Sequence, residues 1–399
     1  MTSKKNAICL IRPPATEMIR FTTGSIVPPL GLAYIVAALE EDGQPVCAID
    51  AVGEGPGIRT RYFRGYCVGL RLPQIVSRVP EDVAAIGITV TFTHEWPLVV
   101  HLTELLRERF PEIPIVMGGE HVTAMPEFCL FTSMADYVVM GEGEETSITL
   151  FRALRDDHST EKIQGISFRK GSDVMVNRRR SRQKVIDDIP EPAWHHFNLE
   201  TYHVHGFIGG MLTVGLSIPV LATRGCPYQC TFCASPNMWT TRWVARNPKL
   251  VVDEIEGYVR RYGARSFPFH DLTAIINRSW IITFCNELIE RKLDISWQLP
   301  TGTRSEVIDR EVSLLLERSG MTSTSYAPES GSDYTRKLIK KKIKREHLFE
   351  SIDASVAAGL NVSIFMVVGF PHETPELISE NLEFIDRLVA HGVADLSVS

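Results

Sequence analysis

The sequence contains no apolar stretch near the ~20 residues that a membrane-spanning helix needs, so nothing in it reads as a membrane anchor. It has no surplus of positive charge. The formal net charge is −6 over 399 residues, which removes any bulk attraction to nucleic acid or to an anionic membrane. The opening MTSKKNAICLIRPP lacks an apolar signal core and a cleavage site, so no secretion signal is read. Cysteines are too sparse for a disulfide framework: there are eight, and three of them crowd into the eight positions 226–233. The expectation is a cytoplasmic protein in a reducing compartment, with no nucleic-acid or membrane partner. Basic runs at Arg178–Arg182 and Lys337–Arg345 read as a solvated hairpin and a solvated helix face.

What the chain does have is an ordinary globular composition, 44% hydrophobic and 23% charged, at a length that suggests two or three domains. Short apolar runs at 6–12, 46–50, 84–90, 113–117 and 136–140 read as buried parallel strands. Helical spacing at 29–42, at 97–110 and from about Glu144 separates most of them. This alternation predicts a doubly wound α/β sheet over residues 1–155. Residues 51–80, rich in Gly and Arg, fit the rhythm poorly and read as an insertion or long loop.

Residues 156–212 form a different segment: a β-hairpin over 163–177 turning at Gly171–Asp173, then a linker punctuated by Pro190 and Pro192. A second βα series occupies 213–399. Its strands are expected near 216–223, 265–270, 294–298, 322–327 and 362–368, with helices at 247–262, 279–291, 309–318, 345–358 and 375–390. The last run, 394–399, begins a sixth strand, so the expectation is a partial (βα)6-type, TIM-like barrel truncated in that strand.

Directly after the first strand of this series comes Arg224-Gly225-Cys226-Pro227-Tyr228-Gln229-Cys230-Thr231-Phe232-Cys233. Three thiolates spaced C-x3-C-x2-C can converge on one soft metal centre. A structural zinc site wants four protein ligands, and no fourth Cys or His lies in this loop. Three thiolates on a four-iron cluster would leave one iron open, which marks catalysis rather than scaffolding. Incidental core cysteines or zinc remain the alternatives. The other five cysteines, Cys9, Cys47, Cys67, Cys129 and Cys285, read as core residues.

This loop resembles the signature of the radical SAM superfamily, including the aromatic Phe232 before the last cysteine. The resemblance implies a 4Fe–4S cluster on Cys226, Cys230 and Cys233, whose open iron takes S-adenosylmethionine (SAM). One electron would then split the sulfonium to a 5′-deoxyadenosyl radical. It further implies a small-molecule substrate and an electron donor such as flavodoxin or ferredoxin. Pro328-Glu329-Ser330-Gly331-Ser332 and Gly369-Phe370-Pro371-His372-Glu373-Thr374 are similar to two further stretches of that family. They implicate Phe232, Glu329, Ser330, Gly369 and Glu373 in holding SAM. Both stretches sit beyond carboxyl ends of expected strands, where α/β folds bind ligands. Taken alone, Glu329 and Glu373 also suit helix N-terminal regions. His270-Asp271 ends the second strand of this series and could face substrate.

In the first sheet, Asp50 ends the second strand and would suit a ribose hydroxyl. The first βα turn, RPPATEMIRFTTGS, has no G-x-G-x-x-G, however, and GEGPG at 53–57 follows the wrong strand, so a Rossmann dinucleotide site is excluded. The strand ends instead resemble the cobalamin-binding domain that precedes many radical SAM barrels. The stretches are Pro28-Pro29-Leu30-Gly31-Leu32-Ala33-Tyr34, Gly118-Gly119-Glu120-His121 with Pro126-Glu127, and Gly141-Glu142-Gly143-Glu144, and Thr89–Thr91 ends another strand on the same edge. The cobalamin contacts implied are Pro29, Gly31, Thr89, Gly118, Gly119, Glu120, Gly141, Glu142 and Gly143. The D-x-H-x-x-G motif that puts histidine on cobalt is absent, since Asp50 is followed by Ala51-Val52-Gly53. His94 and His121 read as satisfied polar groups. Together the resemblances imply a cobalamin-dependent radical SAM enzyme that methylates an unactivated carbon. The alternatives are an oxidative cyclase or rearrangement enzyme with the same cofactors, and a non-catalytic zinc protein.

Overall fold

The computed structural model of the chain describes residues 7–18, 26–210 and 214–399. Residues 19–25 of the first βα turn and 211–213 at the end of the linker lie outside the described residues. Two compact units emerge: Met1–Lys184 with Asp188–Phe207, and Val185–Asp187 with Ile208–Ser399.

In the N-terminal unit five apolar runs pair in parallel. Their spatial order is Val46–Asp50, Ala7–Arg12, Val83–Thr89, Ile115–Gly118, Tyr137–Val139. In chain order this is 2-1-3-4-5, a doubly wound sheet whose crossovers reverse direction between Ala7–Arg12 and Val83–Thr89. Both faces are covered by helices, which is why these strands are continuously apolar. Ile11, Ile86, Ile115, Met117 and Val138 are all buried in one cluster. The hairpin Ile166–Lys170 and Asp173–Val176 forms where the sequence predicts it. It then extends the same sheet antiparallel beyond Tyr137–Val139, which its local pattern could not reveal.

Residues 51–80 are structured rather than a loop. Arg59–Tyr62 and Gly65–Val68 form a hairpin that Ala15–Met18 completes as a three-stranded antiparallel sheet, flanked by the helices Ala51–Glu54 and Leu72–Arg78. The strands are four residues each, too short to raise a periodic signal. The linker after Pro192 also packs down. Trp194 and Tyr202 are 1% exposed, and His196 Nε2 lies 2.7 Å from the Glu40 carboxylate.

The C-terminal unit contains a parallel sheet ordered Ser266–Pro268, Ser296–Thr303, Met321–Glu329, Asn361–Met366, Asp395–Val398. Its helices start where the sequence supplies caps. The side chains of Asn247, Asn277, Asp309 and Thr374 each accept a backbone N–H of the helix's first turn. The segment expected as a strand at 216–223 is only partly one. It runs parallel to Ser266–Pro268 through bridges at Ser217 and Val220, and Thr223–Arg224 turns to pair antiparallel with Val244–Ala245. That turn aims the chain into the cysteine loop.

Candidate active site

The cysteine loop leaves Thr223–Arg224 at Gly225, whose φ of +86° sits in the left-handed region that glycine tolerates. Its root is fixed by Asp271. This fully buried carboxylate accepts the Thr223 hydroxyl at 2.6 Å and the Ala222 N–H at 3.2 Å. Burial pushes the Asp271 carboxyl up to about 6, against the pull of those hydrogen bonds. Asp271 therefore anchors the loop. Its neighbour His270 is half-buried, with Nε2 shut from solvent and unpartnered, and desolvation lowers that imidazole to about 4.

Beyond Gly225 the loop is pinned from the other side of the barrel. Arg304, just after Ser296–Thr303, lies 4.0 Å over the Tyr228 ring and bonds to the Lys342 carbonyl. The Thr231 N–H donates to the Ile339 carbonyl at 3.0 Å. Cys226 and Cys230 are half-buried and Cys233 is exposed. Burial raises the Cys226 thiol, opposed by the Tyr228 N–H and by the cations Lys341 and Arg304. Burial raises Cys230 too, with Lys341 again opposing. Two cations thus stand where three thiolates would otherwise repel one another.

The spacing of the sulfurs bears on what they hold. Among the described residues one trio of potential ligand atoms lies within 4.8 Å of each other, Glu40 with His195 and His196; the three cysteine sulfurs are not drawn so close. One tetrahedral zinc would gather its thiolates to about 3.8 Å apart. A four-iron cube takes each thiolate on a different iron and spreads them further. The donor set, three thiols and no fourth ligand, fits the cube.

Facing the loop are the ends of two strands. Glu329 closes Met321–Glu329 with φ +66°, a strained conformation for a glutamate costing on the order of 1–3 kcal/mol. It is 8% exposed and ion-paired to Lys341 at 3.0 Å. Ser330 is wholly buried, and its hydroxyl donates to Asn381 Oδ1 at 2.9 Å; the structure gives it to the scaffold. The same oxygen takes the Gly331 N–H at 2.7 Å. A Cβ at Gly331 would meet Phe384 at 2.4 Å, so this loop must be glycine to lie on the helix Pro375–Ala390. In the second stretch the Glu373 carboxylate accepts the Phe370 N–H at 3.1 Å and the Gly369 N–H, and Asn381 Nδ2 donates to it at 3.4 Å. Glu373 thus caps its own turn, as an acid before a helix does. Phe232 reaches across to Phe370, ring centroids 5.8 Å apart, and both rings stay accessible.

In the N-terminal unit the expected residues gather at the carboxyl edge of the sheet. Thr89 is in register with Gly118, and Gly118 with Val139. Gly119 has φ +121°, and a Cβ there would meet the Val90 carbonyl at 2.4 Å. Gly141, with φ +78°, and Gly31, in the first turn after Pro29, both face open space. Gly143 packs on Ile35, where a Cβ would sit 2.8 Å away. Glu120 is exposed. Glu142 is engaged elsewhere, 3.2 Å from Arg182 and accepting the Gln183 N–H at 2.9 Å. Arg180 likewise pairs with Glu145 at 3.1 Å, so Arg180 and Arg182 hold the sheet edge, while Arg178 and Arg179 are exposed as expected. Asp50 accepts Tyr202 OH at 2.6 Å and caps Ala51–Glu54, which leaves it no ribose to bind. His121 bonds Thr93 through Nδ1 at 3.1 Å, but its buried Nε2 has no partner, so it is not the satisfied group expected.

Residues 17–151 match the B12 binding domain family and residues 220–385 match the radical SAM superfamily. The chain is 30% identical over 403 residues to the cytidylyl-2-hydroxyethylphosphonate methyltransferase of Streptomyces wedmorensis, covering 93% of this chain and 74% of that protein. The chain belongs to the cobalamin-binding radical SAM superfamily. It is 28% identical over 360 residues to the anaerobic magnesium-protoporphyrin IX monomethyl ester cyclase of Cereibacter sphaeroides, covering 88% of this chain and 55% of the cyclase. The fold matches the radical SAM methyltransferase TsrM from Kitasatospora setae with a TM-score of 0.76 at 18% identity, over 99% of this chain and 73% of that one.

The protein is therefore an enzyme whose cofactors are a 4Fe–4S cluster, SAM and cobalamin. The open glycine edge around Gly31, Gly118 and Gly141 is of the kind a large planar cofactor needs. Residues that meet the cysteine loop or its facing strand ends and that the sequence reading did not single out are Arg304, Lys341 and Asn381. A signal existed for Asn381: it is an amide on the apolar stripe of its helix, beside Phe384 and Leu388. Lys341 and Arg304 offered none, because each meets the cysteine loop only through the tertiary fold. No helix among the described residues is long and apolar enough to cross a membrane.

Proposed function

We propose that the enzyme is a methyltransferase that places a methyl group on an unactivated carbon of a small-molecule substrate. The observation that carries this is the 30% identity, over most of both chains, to a methyltransferase, together with a three-cysteine loop that leaves a metal position open. When bound, the cluster and SAM supply a hydrogen-abstracting adenosyl radical and cobalamin carries the methyl group.

In this reading the chain's own residues do the positioning. Cys226, Cys230 and Cys233 hold the cluster, and Lys341 and Arg304 offset its negative charge. Glu329, Gly369 and the Phe232–Phe370 pair form the SAM wall, with Glu373 and Ser330 behind it as supports that keep the wall in place. Pro29, Gly31, Thr89, Gly118, Gly119, Glu120, Gly141 and Gly143 hold cobalamin, with Glu142 fixing that edge through Arg182. Cobalt takes no histidine from a D-x-H-x-x-G motif.

A second reading, an oxidative cyclisation or rearrangement with the same cofactors, is favoured by the 28% identity to the cyclase. Anaerobic reconstitution with iron, sulfide and hydroxocobalamin, followed by turnover with methyl-labelled SAM, separates the two. Label in the product supports methyl transfer; deoxyadenosine and a modified product without label support the cyclase reading. Serine at any of the three loop cysteines is expected to lower cluster iron and abolish deoxyadenosine formation, and serine at Cys285 to leave both.

A further inference from the structure

The ten residues Arg336–Arg345 carry seven cationic side chains and no acid, in a chain of net charge −6. Three of the seven are taken up locally. Arg336 pairs with Asp333, Lys341 with Glu329, and Arg345 donates to the Gly331 carbonyl at 2.8 Å. The other four, Lys337, Lys340, Lys342 and Lys344, are exposed, and their ammonium groups have no ion pair among the described residues. This is not the helix face that the sequence suggested. Lys337 stands in the last turn of the helix Asp333–Leu338, and Lys340, Lys342 and Lys344 follow on a loop that leads to the helix Arg345–Ala357.

That loop lies against the cluster loop. Ile339 accepts the Thr231 N–H at 3.0 Å, and the Lys342 carbonyl takes Arg304. Between the two loops is a cavity of about 410 Å³, with Pro227, Tyr228 and Gln229 on one wall and Lys337, Lys340 and Lys342 on the other. Its lining also takes in Arg336 and Lys341 but none of Glu329, Phe232, Phe370 and Glu373, so it borders the proposed SAM wall through Lys341 without being that wall. Pro227–Gln229 are the residues that join Cys226 to Cys230. A partner seated there is one loop away from two iron ligands.

Two further facts narrow the occupant. Reductive cleavage consumes one electron from outside the chain. The cavity lies against the stretch that joins two of the three cluster cysteines, so a carrier seated there would deliver its electron at the cluster itself. Clustered like charges repel unless a surface of opposite sign meets them.

We infer that Lys337, Lys340, Lys342 and Lys344 form the docking surface for a small acidic one-electron carrier protein. At this step the reduced carrier loses one electron and the cluster gains it, with no proton or group transferred. The inference rests on the radical SAM assignment.

The test uses the reconstituted holoenzyme and reduced flavodoxin as the probe. Association is followed by titration calorimetry, and electron transfer by stopped-flow flavin absorbance, at low and at physiological ionic strength. The Lys337→Glu/Lys340→Glu/Lys342→Glu variant is expected to slow association roughly ten- to a hundredfold at low salt, and salt should mimic the effect on the wild type. Deoxyadenosine formation driven by titanium(III) citrate should be unchanged, which shows the site and fold intact. An equal reversal in the N-terminal unit, Arg61→Glu/Lys162→Glu/Arg178→Glu, should leave association unaltered. Equal association for the lysine variant and wild type overturns the inference. So does a rise in substrate KM with unchanged carrier binding, which would make the surface an anion site for substrate. Absence of deoxyadenosine from the wild type with the chemical reductant would instead defeat the enzyme assignment, while the association measurement still reports on the surface.

Discussion

Asn381 holds the hydroxyl of Ser330 at 2.9 Å from a helix fifty-one residues further along the chain. With the Gly331 N–H on the same oxygen and Glu373 on its amide nitrogen, it ties the two loops of the proposed SAM wall to one helix. Asn381→Leu fits the apolar stripe by size but leaves the buried Ser330 hydroxyl without an acceptor for its proton and the buried Gly331 N–H unpaired. It is expected to cost on the order of 2–4 kcal/mol of stability. SAM affinity should fall roughly tenfold or more, because the wall loosens by the small displacements that binding sites do not tolerate. Asn381→Asp keeps the acceptor but replaces the bond to Glu373 by two facing carboxylates, so it should recover stability only as pH falls and one of them takes up a proton. Chemical denaturation and a titration with SAM check both.

The Glu329–Lys341 pair is nearly buried at both ends, with side chains 10% and 11% exposed. Removing one partner strands the other, so Glu329→Gln and Lys341→Gln should each destabilise by about 2–4 kcal/mol. The double variant should cost clearly less than the sum, with a coupling of at least ~1 kcal/mol in a double-mutant cycle. Both Glu329 variants should lose SAM cleavage even where the fold is recovered. Additive single costs would show that the pair is not a unit.

Asp271 gives a pH signature. Its folded value is about 6 against an ordinary 3.8, raised by burial. The folded chain thus keeps a proton that the unfolded chain releases between those values. Stability from this group is full below about pH 3.8 and is lost as pH rises through about 6. The stability difference between wild type and Asp271→Asn should shift by on the order of 2–3 kcal/mol between about pH 4 and 7. Wild type should lose relative to the variant as pH rises. His270 is common to both proteins, so its own titration cancels. A flat difference would show that Asp271 is not buried as described.

Three glycines of the N-terminal unit separate folding from cofactor binding. Gly119→Ala combines φ +121° with a 2.4 Å approach to Val90 and should destabilise by at least ~2 kcal/mol. Gly141→Ala, with φ +78° in open space, should cost about 1 kcal/mol. Gly31→Leu meets nothing within 4 Å and sits in a helix, so it should be neutral or slightly stabilising. If cobalamin occupies this edge, Gly31→Leu should nonetheless weaken its binding at least tenfold, read by absorbance on hydroxocobalamin titration. Unchanged binding would place the cofactor elsewhere.

The amino-acid sequence alone determined the elements whose cause is local. Proline and asparagine caps, apolar runs of strand length and the C-x3-C-x2-C spacing are short-range facts, and the helices from Pro248 and Pro375 and the strand Val46–Asp50 appear where they were expected. Tertiary structure decided everything that depends on partners distant in the chain. It turned Asp50 and Glu142 inward to Tyr202 and Arg182, and Asp271 to Thr223. It brought Lys341, Arg304 and Asn381 to the cysteine loop and its facing wall, and left four lysines uncovered beside that loop. A carboxylate, an amide or an ammonium takes its role from which opposite group the folded backbone sets within about 3 Å of it, and no spacing along the chain encodes that.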